Sequence, residues 1–521
     1  LSEVNEITKA ILSRKHPDYE EYLDQWNMFE DTYRGGRQWF DKHIHKYHKE
    51  GDEEFNTRVK RAVRFNHPKE IVDLVGKYLF RAEANRKKDA PDAIKQFWKQ
   101  MSKRKWPVEE FMPVLNKWAS VYGRIWVVID STNMGGQQSI SRAQAKEAGY
   151  RVWSHWVRPQ DMMDCEYSEE DGELNWILLR ESYRVNASSH TLVNSGERTR
   201  YRVWTRKEWK LYEFELDEQG AKTGSLKEVD SGEHNLDIVP VVPLDSMTSN
   251  EDYTSESLIA DIAYLDQAVA NYMSCLDAII QDQTFSQLAM PAQAGLFGHS
   301  DDEKKQRELV LTMGKKRVFL YDGEGGSAPF FLSPDPKQAE LIITAIKQII
   351  NEIYHSVGVA GERTKQDNSQ GIDNSSGVAK AYDFDRVNSL LSNKGKALER
   401  FENKVCQIVM LWNGQTLELE DDDKLVCYPD SYDVRGLTDE INISERLEAI
   451  SAPLKVRQYQ MKRTLKKLYP FLDKKTLTEL EKSIDDMEDI LDQFNKGVDG
   501  SVMSNALPNE QNQEENSDEK E

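Results

Sequence analysis

DPKQAELIITAIKQIINEIYHSVG (335–358) and VAKAYDFDRVNSLLSNKGKALERFENKVCQIVMLW (378–412) enclose VAGERTKQDNSQGIDNSSG (359–377), and this stretch decides the fold. In the first part Ile342, Ile346, Ile349, Ile353 and Val357 form one stripe that Ile343, Ile350 and Tyr354 widen. That spacing predicts an amphipathic helix from Asp335 to Val357. Gly358 supplies its stop. In the last part Val387, Leu391, Leu398, Phe401, Val405, Ile408 and Trp412 share a stripe that Lys394 interrupts. A helix from Val378 to Trp412 would span roughly 50 Å. The residues between the two helices are small or polar, too poor in apolar surface to offset the entropy of ordering, so a mobile loop is expected there.

Upstream, from Ser255, Leu258, Ile262, Leu265, Val269, Tyr272, Leu276 and Ile279 recur at steps of four and three. They predict a helix of about 30 residues, roughly 45 Å long, that packs against neighbours along its length. Residues 285–334 break the pattern with a charged run, the strand KKRVFLY (315–321), DGEGG (322–326) and APFFLSP (328–334). DGEGG lacks the Lys-Ser/Thr ending of a phosphate loop, and lying between two strand-like runs it reads as a hairpin turn.

Residues 1–100 read as helical. YEEYLDQWNMFEDTYRGG (19–36) sets Tyr19, Tyr22, Trp26, Phe29 and Tyr33 on one face before a Gly35-Gly36 stop. A second helix starts near Glu53, and the proline of His67-Pro68 marks its boundary with a third. Between about 120 and 245 short β-rich runs alternate with polar turns, which predicts an antiparallel β region. Its Trp126, Trp153, Trp156, Trp176, Trp204 and Trp209 are expected to pack a sheet rather than stack on bases. TLELEDDDKLVCYPDSY (416–432) reads as a hairpin with an acidic turn, 444–494 as helical, and the tail from Gly497 as disordered. The fold class is α+β, mainly α.

With 521 residues the chain has room for several compact regions. Its first 20 residues do not read as a signal peptide, and no apolar run is long enough for a membrane span. Cys165, Cys275, Cys406 and Cys427 are scattered, indicating neither a zinc site nor a disulfide framework but reduced thiols. The net charge of −21 argues against tight DNA binding, which needs Lys and Arg to displace counterions from phosphates. An acidic wall past which DNA slides remains compatible with it.

The order of parts resembles the portal proteins of tailed double-stranded DNA bacteriophages. YRGG before a helix, RAVRFNHPKEIVDLVGKYLF, VYGRIWVVID, IVPVVPL leading into SESLIADIAYLDQ, and SSGVAKAYDFDRVNSLL after the loop carry the likeness. The resemblance implies a helical arm and β-rich wing over 1–253, stem helices at 254–284 and 335–357, and a clip at 285–334. It further implies a tunnel loop at 358–377, a long wing helix and hairpin at 378–436, a helical crown at 437–496, and a disordered acidic tail at 497–521. Twelve copies would form a ring at one capsid vertex, a conduit for DNA packaging and ejection. Its partners would be duplex DNA passing without sequence readout, the terminase large subunit, head-completion or adaptor proteins, and major capsid and scaffolding proteins, with no membrane. The protein would be assembled in the host cytoplasm and reside in the virion. The alternative is a non-viral oligomeric scaffold or adaptor.

Under this resemblance the loop segment Val359, Ala360, Gly361, Glu362, Arg363, Thr364, Lys365 and Gln366 would face DNA, with Arg363 and Lys365 touching phosphates only. A plain surface loop is the other reading. The segment from Glu228 to Asp302 lacks Lys and Arg, and Glu256, Asp261, Asp266, Asp277 and Asp282 either line the bore or form an ordinary solvated helix face. No cofactor, metal site or catalytic constellation is indicated: no GxSxG, P-loop or HExxH occurs, and His43, His45 and His48 lack a carboxylate to complete a site. The chain reads as no enzyme, and the ATP-driven motor as a separate protein.

Overall fold

In a computed structural model of the chain the described residues are 6–81, 83–132, 149–184, 196–216, 222–284, 287–291, 318–321, 328, 330–332, 336–358, 377–419, 424–429, 432, 437–468 and 474–486. They fall into two units, residues 1–432 and 433–521.

The first unit opens with helices α1 (Glu6–Ser13), α2 (Tyr19–Arg34), α3 (Arg37–His43), α4 (Asp52–Arg61) and α5 (His67–Leu79). The aromatic face of α2 is buried at Tyr19, Trp26, Phe29 and Tyr33. Asn66 caps α5 by accepting from Lys69 N at 3.0 Å, and Pro68 sits in its first turn, where no intrahelical N–H is needed. A two-residue strand β1 (Asn85–Arg86) precedes α6 (Asp92–Lys99) and α7 (Val108–Tyr122).

Two antiparallel sheets follow. The first has the order β3-β2-β9, from β2 (Arg124–Ser131), β3 (Val152–Val157) and β9 (Val241–Asp245). The second is a meander of β4 (Met162–Tyr167), β5 (Leu174–Arg184), β6 (Glu197–Thr205), β7 (Glu208–Leu216) and β8 (Lys222–Glu233). The tryptophans pack: Trp126 and Trp204 are buried, and the Trp156 ring stacks on Trp118 at 5.4 Å.

The long helices are α8 (Ala260–Thr284), α9 (Pro336–Ser356) and α10 (Gly377–Trp412), and α8 and α9 pack along each other. Helix α8 starts later than its apolar period suggests. Ser257 Oγ donates to Val121 O (2.7 Å) and Leu258 N to Ser120 O (3.0 Å), which holds the chain to the end of α7 in a non-helical path.

Two hairpins read from sequence are corrected. Strand β10 (Gln287–Pro291) lies between β11 (Val318–Tyr321), which it pairs in parallel, and β12 (Phe330–Leu332), which it pairs antiparallel. Residues 322–326 therefore join strands that are not neighbours, because β10 inserts between them. Likewise β13 (Val426–Cys427) pairs with β1 instead of with residues 415–419, which form no strand. Helix α10 fixes that path: Asn403 Oδ1 accepts from Leu425 N (3.0 Å) and its Nδ2 donates to Val426 O (2.8 Å). Beneath the same segment Arg86 donates to the buried Glu402 at 2.6 Å.

The second unit consists, among its described residues, of α11 (Leu437–Ala449), α12 (Leu454–Leu468) and α13 (Lys474–Asp485), packed in sequence.

Gly123 ends α7 at φ +91°, and a Cβ there would lie 1.8 Å from Ser255 O. Gly123→Ala should destabilise the protein by at least ~2 kcal/mol, since backbone has to move as well as adopt a strained conformation. Gly414→Ala, also at positive φ but with no atom within 4 Å, should cost about 1 kcal/mol. Denaturant midpoints of the two variants check the order.

Candidate functional site at the root of the long helices

The predicted DNA-facing residues Val359, Ala360, Gly361, Glu362, Arg363, Thr364, Lys365 and Gln366 lie outside the described residues. The point from which their segment leaves is defined. Gly358, at φ +79°, donates its N–H to His355 O at 3.0 Å, and its Cα abuts α10, where a Cβ would lie 3.1 Å from Arg386 Cβ. A cleft of about 420 Å³ opens beside it, lined by Glu256, Asp261, Ser356, Val357, Arg386 and Ser389.

The acidic candidates separate into different environments. Glu256 and Asp261 are exposed at this cleft. Asp277 is paired with Arg61 of α4 at 3.3 Å, and the side chain of Asp282 lies outside the described ones. Asp266 is a correction: it is fully buried and lines no open face of the subunit. Its carboxylate pairs with the Arg64 guanidinium, and Oδ1 meets His67 Nδ1 at 2.7 Å. Arg64 lies over the Trp39 ring at 4.1 Å and also donates to Thr32 O. The reason is electrostatic. A carboxylate removed from water needs paired charge and hydrogen bonds, and residues 62–66, the non-helical link between α4 and α5, deliver Arg64 to it.

This hub continues into α9. The His67 ring stands perpendicular to that of Tyr354 at 5.9 Å, and the Tyr354 hydroxyl donates to Glu70 Oε2 at 2.6 Å. One buried acid thus ties α2, α5, α8 and α9 together.

A second hub anchors α10. Lys394, which interrupts the apolar stripe in the sequence, is completely buried. Its Nζ donates to Ser120 Oγ (2.8 Å), Ser246 O (3.0 Å) and Ser246 Oγ (3.0 Å). No carboxylate pairs with it among the described residues, and burial lowers its pKa to about 7. Ser120 and Ser246 belong to the same junction as Gly123, because Ser246 N donates to Gly123 O at 2.6 Å.

Among the described residues no group of three His, Cys, Asp or Glu side chains is placed to hold a metal, and no helix is long and apolar enough to cross a membrane. His43 turns to Asp31 (3.2 Å) and His45 to Gln267 (3.2 Å), so the histidine cluster does not converge. Sequence reasoning saw Lys394 as an interruption without finding its partners, and missed Arg64 and His67 altogether.

Long helices rooted in buried polar hubs are the main feature of the described residues. Residues 12–424 match the phage portal protein family, SPP1 Gp6-like, and the chain belongs to that family. A comparison with curated proteins finds no match. Among solved structures the chain is similar to one in the neck of an empty GTA particle at 12% identity, covering 75% of this chain and 87% of that one, TM-score 0.34. It is also similar to one in the virion of a native gene transfer agent particle at 13% identity, covering 85% and 94%, TM-score 0.37.

Removing the buried acid should be costly. Asp266→Ala leaves Arg64 buried and unpaired and should lose about 3–5 kcal/mol, whereas Asp261→Asn on the cleft should stay within ~0.5 kcal/mol, both read by chemical denaturation. The Lys394 ammonium is disfavoured in the folded state, so below pH 7 the full penalty is present. Stability should rise from about pH 7 towards the unfolded lysine pKa of ~10.4, by up to ~1.4 kcal/mol per pH unit. Lys394→Met should flatten that part of the profile in denaturant midpoints taken from pH 6 to 9.

Proposed function

We propose that this chain is a portal subunit that closes into a ring, twelve copies at one capsid vertex, and gives duplex DNA its path into and out of the virion. The observation that carries the reading is the match of residues 12–424 to the portal family, and apolar side chains left open on α8 and α9 support it. Tyr264 (49%), Tyr272 (40%) and Ile280 (51%) on α8, and Leu341 (72%) and Ile343 (40%) on α9, are exposed. Exposed apolar side chains of this kind are surface that a neighbouring subunit would cover. A closed ring covers them with the same neighbour at every position and leaves no open end.

In this reading α8 and α9 are the stem and residues 285–334 the clip, where the terminase large subunit and later the head-completion or adaptor proteins dock. Residues 358–377 form the tunnel loop, with Arg363 and Lys365 making brief phosphate contact. The long helix 377–412 and the β sheets build the wing, and 437–496 the crown, facing major capsid and scaffolding proteins. The chain performs no catalysis; the terminase supplies the work of ATP hydrolysis. Assembly takes place in the host cytoplasm.

The buried hubs support a mechanical role. They join the root of α8, the end of α9 and the middle of α10 through polar contacts that are directional, so displacing one helix loads the others.

Electron microscopy of the purified chain should show rings with an axial hole, and monodisperse single subunits would overturn the proposal. Tyr272→Glu with Leu341→Glu should abolish rings while leaving the subunit's circular dichroism unchanged. Deleting residues 362–374 should leave rings intact but lower the amount of DNA packaged or retained, measured as nuclease-protected genome per particle. Failure of that variant to form rings would make the loop a structural element.

A further inference from the structure

The chain from Ala93 to Val108 carries Lys95, Lys99, Lys103, Arg104 and Lys105 and no Asp or Glu, in a protein of net charge −21. Lys99, Lys103, Arg104 and Lys105 are exposed, and none of the four is ion-paired among the described residues. The last three sit on a tight turn between α6 and α7. Ser102 N donates to Trp106 O (3.2 Å), Lys105 N to Ser102 O (2.9 Å) and Trp106 N to Ser102 Oγ (2.9 Å). Lys105 closes the turn at a left-handed φ of +65°, a conformation that favours Gly or Asn. A lysine there costs the backbone strain, so what the position offers is the side chain. The turn is also braced from β3. Lys103 N donates to Ser154 O (3.0 Å), and the Arg151 guanidinium donates to Ser102 O (3.1 Å) and Lys103 O (3.0 Å). The Lys103 ammonium lies over the Trp153 ring at 4.7 Å. Arg151 meets carbonyls and no carboxylate among the described residues, so it adds a fifth charge to Lys99, Lys103, Arg104 and Lys105.

We propose that the turn 102–106, with Lys99 and Arg151, is a contact surface for the phosphate backbone of duplex DNA. Charge complementarity selects a polyanion, and Lys and Arg side chains meet phosphates without base readout. Duplex DNA carries one phosphate per about 1.7 Å of its axis, so a compact cluster finds an anion for each cation. A turn is convex and gives a peptide no groove to lie in, whereas a duplex brings its own regular rows of charge. The backbone bonds hold the cations together before DNA arrives, which lowers the cost of ordering them. Several cations at one place hold a duplex rather than let it slide, and the turn belongs to neither the long helices nor the segment 358–377. The inference rests on the portal reading for the presence of duplex DNA beside this chain.

The test is binding of the full chain to a random-sequence 30-base-pair duplex by fluorescence anisotropy between 50 and 200 mM salt. Each phosphate contact contributes about −0.9 to the slope of log K against log salt. Replacing Lys99, Lys103, Arg104 and Lys105 together by Gln should weaken binding at least tenfold at 100 mM salt and reduce the slope by up to ~3.6. Arg104→Glu, a single change on the exposed turn, should weaken it several-fold. Replacing the exposed Lys9, Lys49, Lys60 and Lys396 by Gln changes the net charge equally and should leave affinity and slope close to the wild type. Absence of wild-type binding at 50 mM salt, or equal losses in the two fourfold variants, overturns the proposal. So does displacement of the duplex by polyglutamate at equal charge concentration, which would make the turn a dock for an acidic protein. Electron microscopy of the same samples separates the two readings: DNA binding at the turn without rings sinks the portal reading alone, and rings without DNA binding sink this one alone.

Discussion

Asp266 sits in the second turn of α8 with no solvent exposure, and the geometry of the first unit depends on compensating it. A bare carboxylate at such a depth would cost several kcal/mol. Arg64 and His67 remove most of that cost, but only if residues 62–66 keep their non-helical path between α4 and α5. The same stretch is held by α2, since Asn66 Nδ2 donates to Thr32 O at 2.9 Å and to Tyr33 O at 3.2 Å. The end of α2, the break between α4 and α5 and the placement of α8 are therefore one constraint. Through His67 and Tyr354 it extends to α9.

The Lys394 hub solves the opposite problem with different chemistry. Among the described residues no anion pairs with the ammonium; three oxygens accept from it, and burial lowers its tendency to be charged. These oxygens belong to α7 and to the end of β9, and Gly123 lets the path into α8 pass within contact of both. Three long-range connections meet where only a residue without a Cβ fits. A hub of this kind is stiff, because no element can shift without stranding a buried polar group.

The long helices were legible in the sequence because their apolar stripes are made by local spacing, and Gly358 marked a real end. What was not legible came from partners distant in sequence. DGEGG has the local chemistry of a hairpin turn, yet β10, some 30 residues upstream, takes the place between the strands it joins. The run 416–432 carries strand and turn residues, yet Asn403 and Glu399 of α10 direct it toward Asn85 and Arg86, with Glu399 Oε2 accepting from Tyr428 N at 2.9 Å. Asp261 and Asp266 look alike in a list of acids, but five residues of helix turn them roughly 140° apart. That rotation sends one to the cleft and the other into the core. The candidate site itself was legible only as a gap between helices, since a polar loop has no periodicity from which positions can be read.

The placement of charge bears on how such a protein can handle DNA. Counting acids along 228–302 suggests a strongly repulsive wall, but Asp266 is neutralised in the core and Asp277 is paired with Arg61. Of the acids singled out on α8 and its root, Glu256 and Asp261 are exposed and face a cleft that Arg386 shares. The local field is weaker than the formal charge of −21 implies. Sliding requires that no single contact be strong, because a duplex held at one point by many counterion-releasing cations would have to break them all at each step. Mild repulsion near the long helices meets that requirement. The distribution of charge, more than its total, decides whether a polyanion passes or stays.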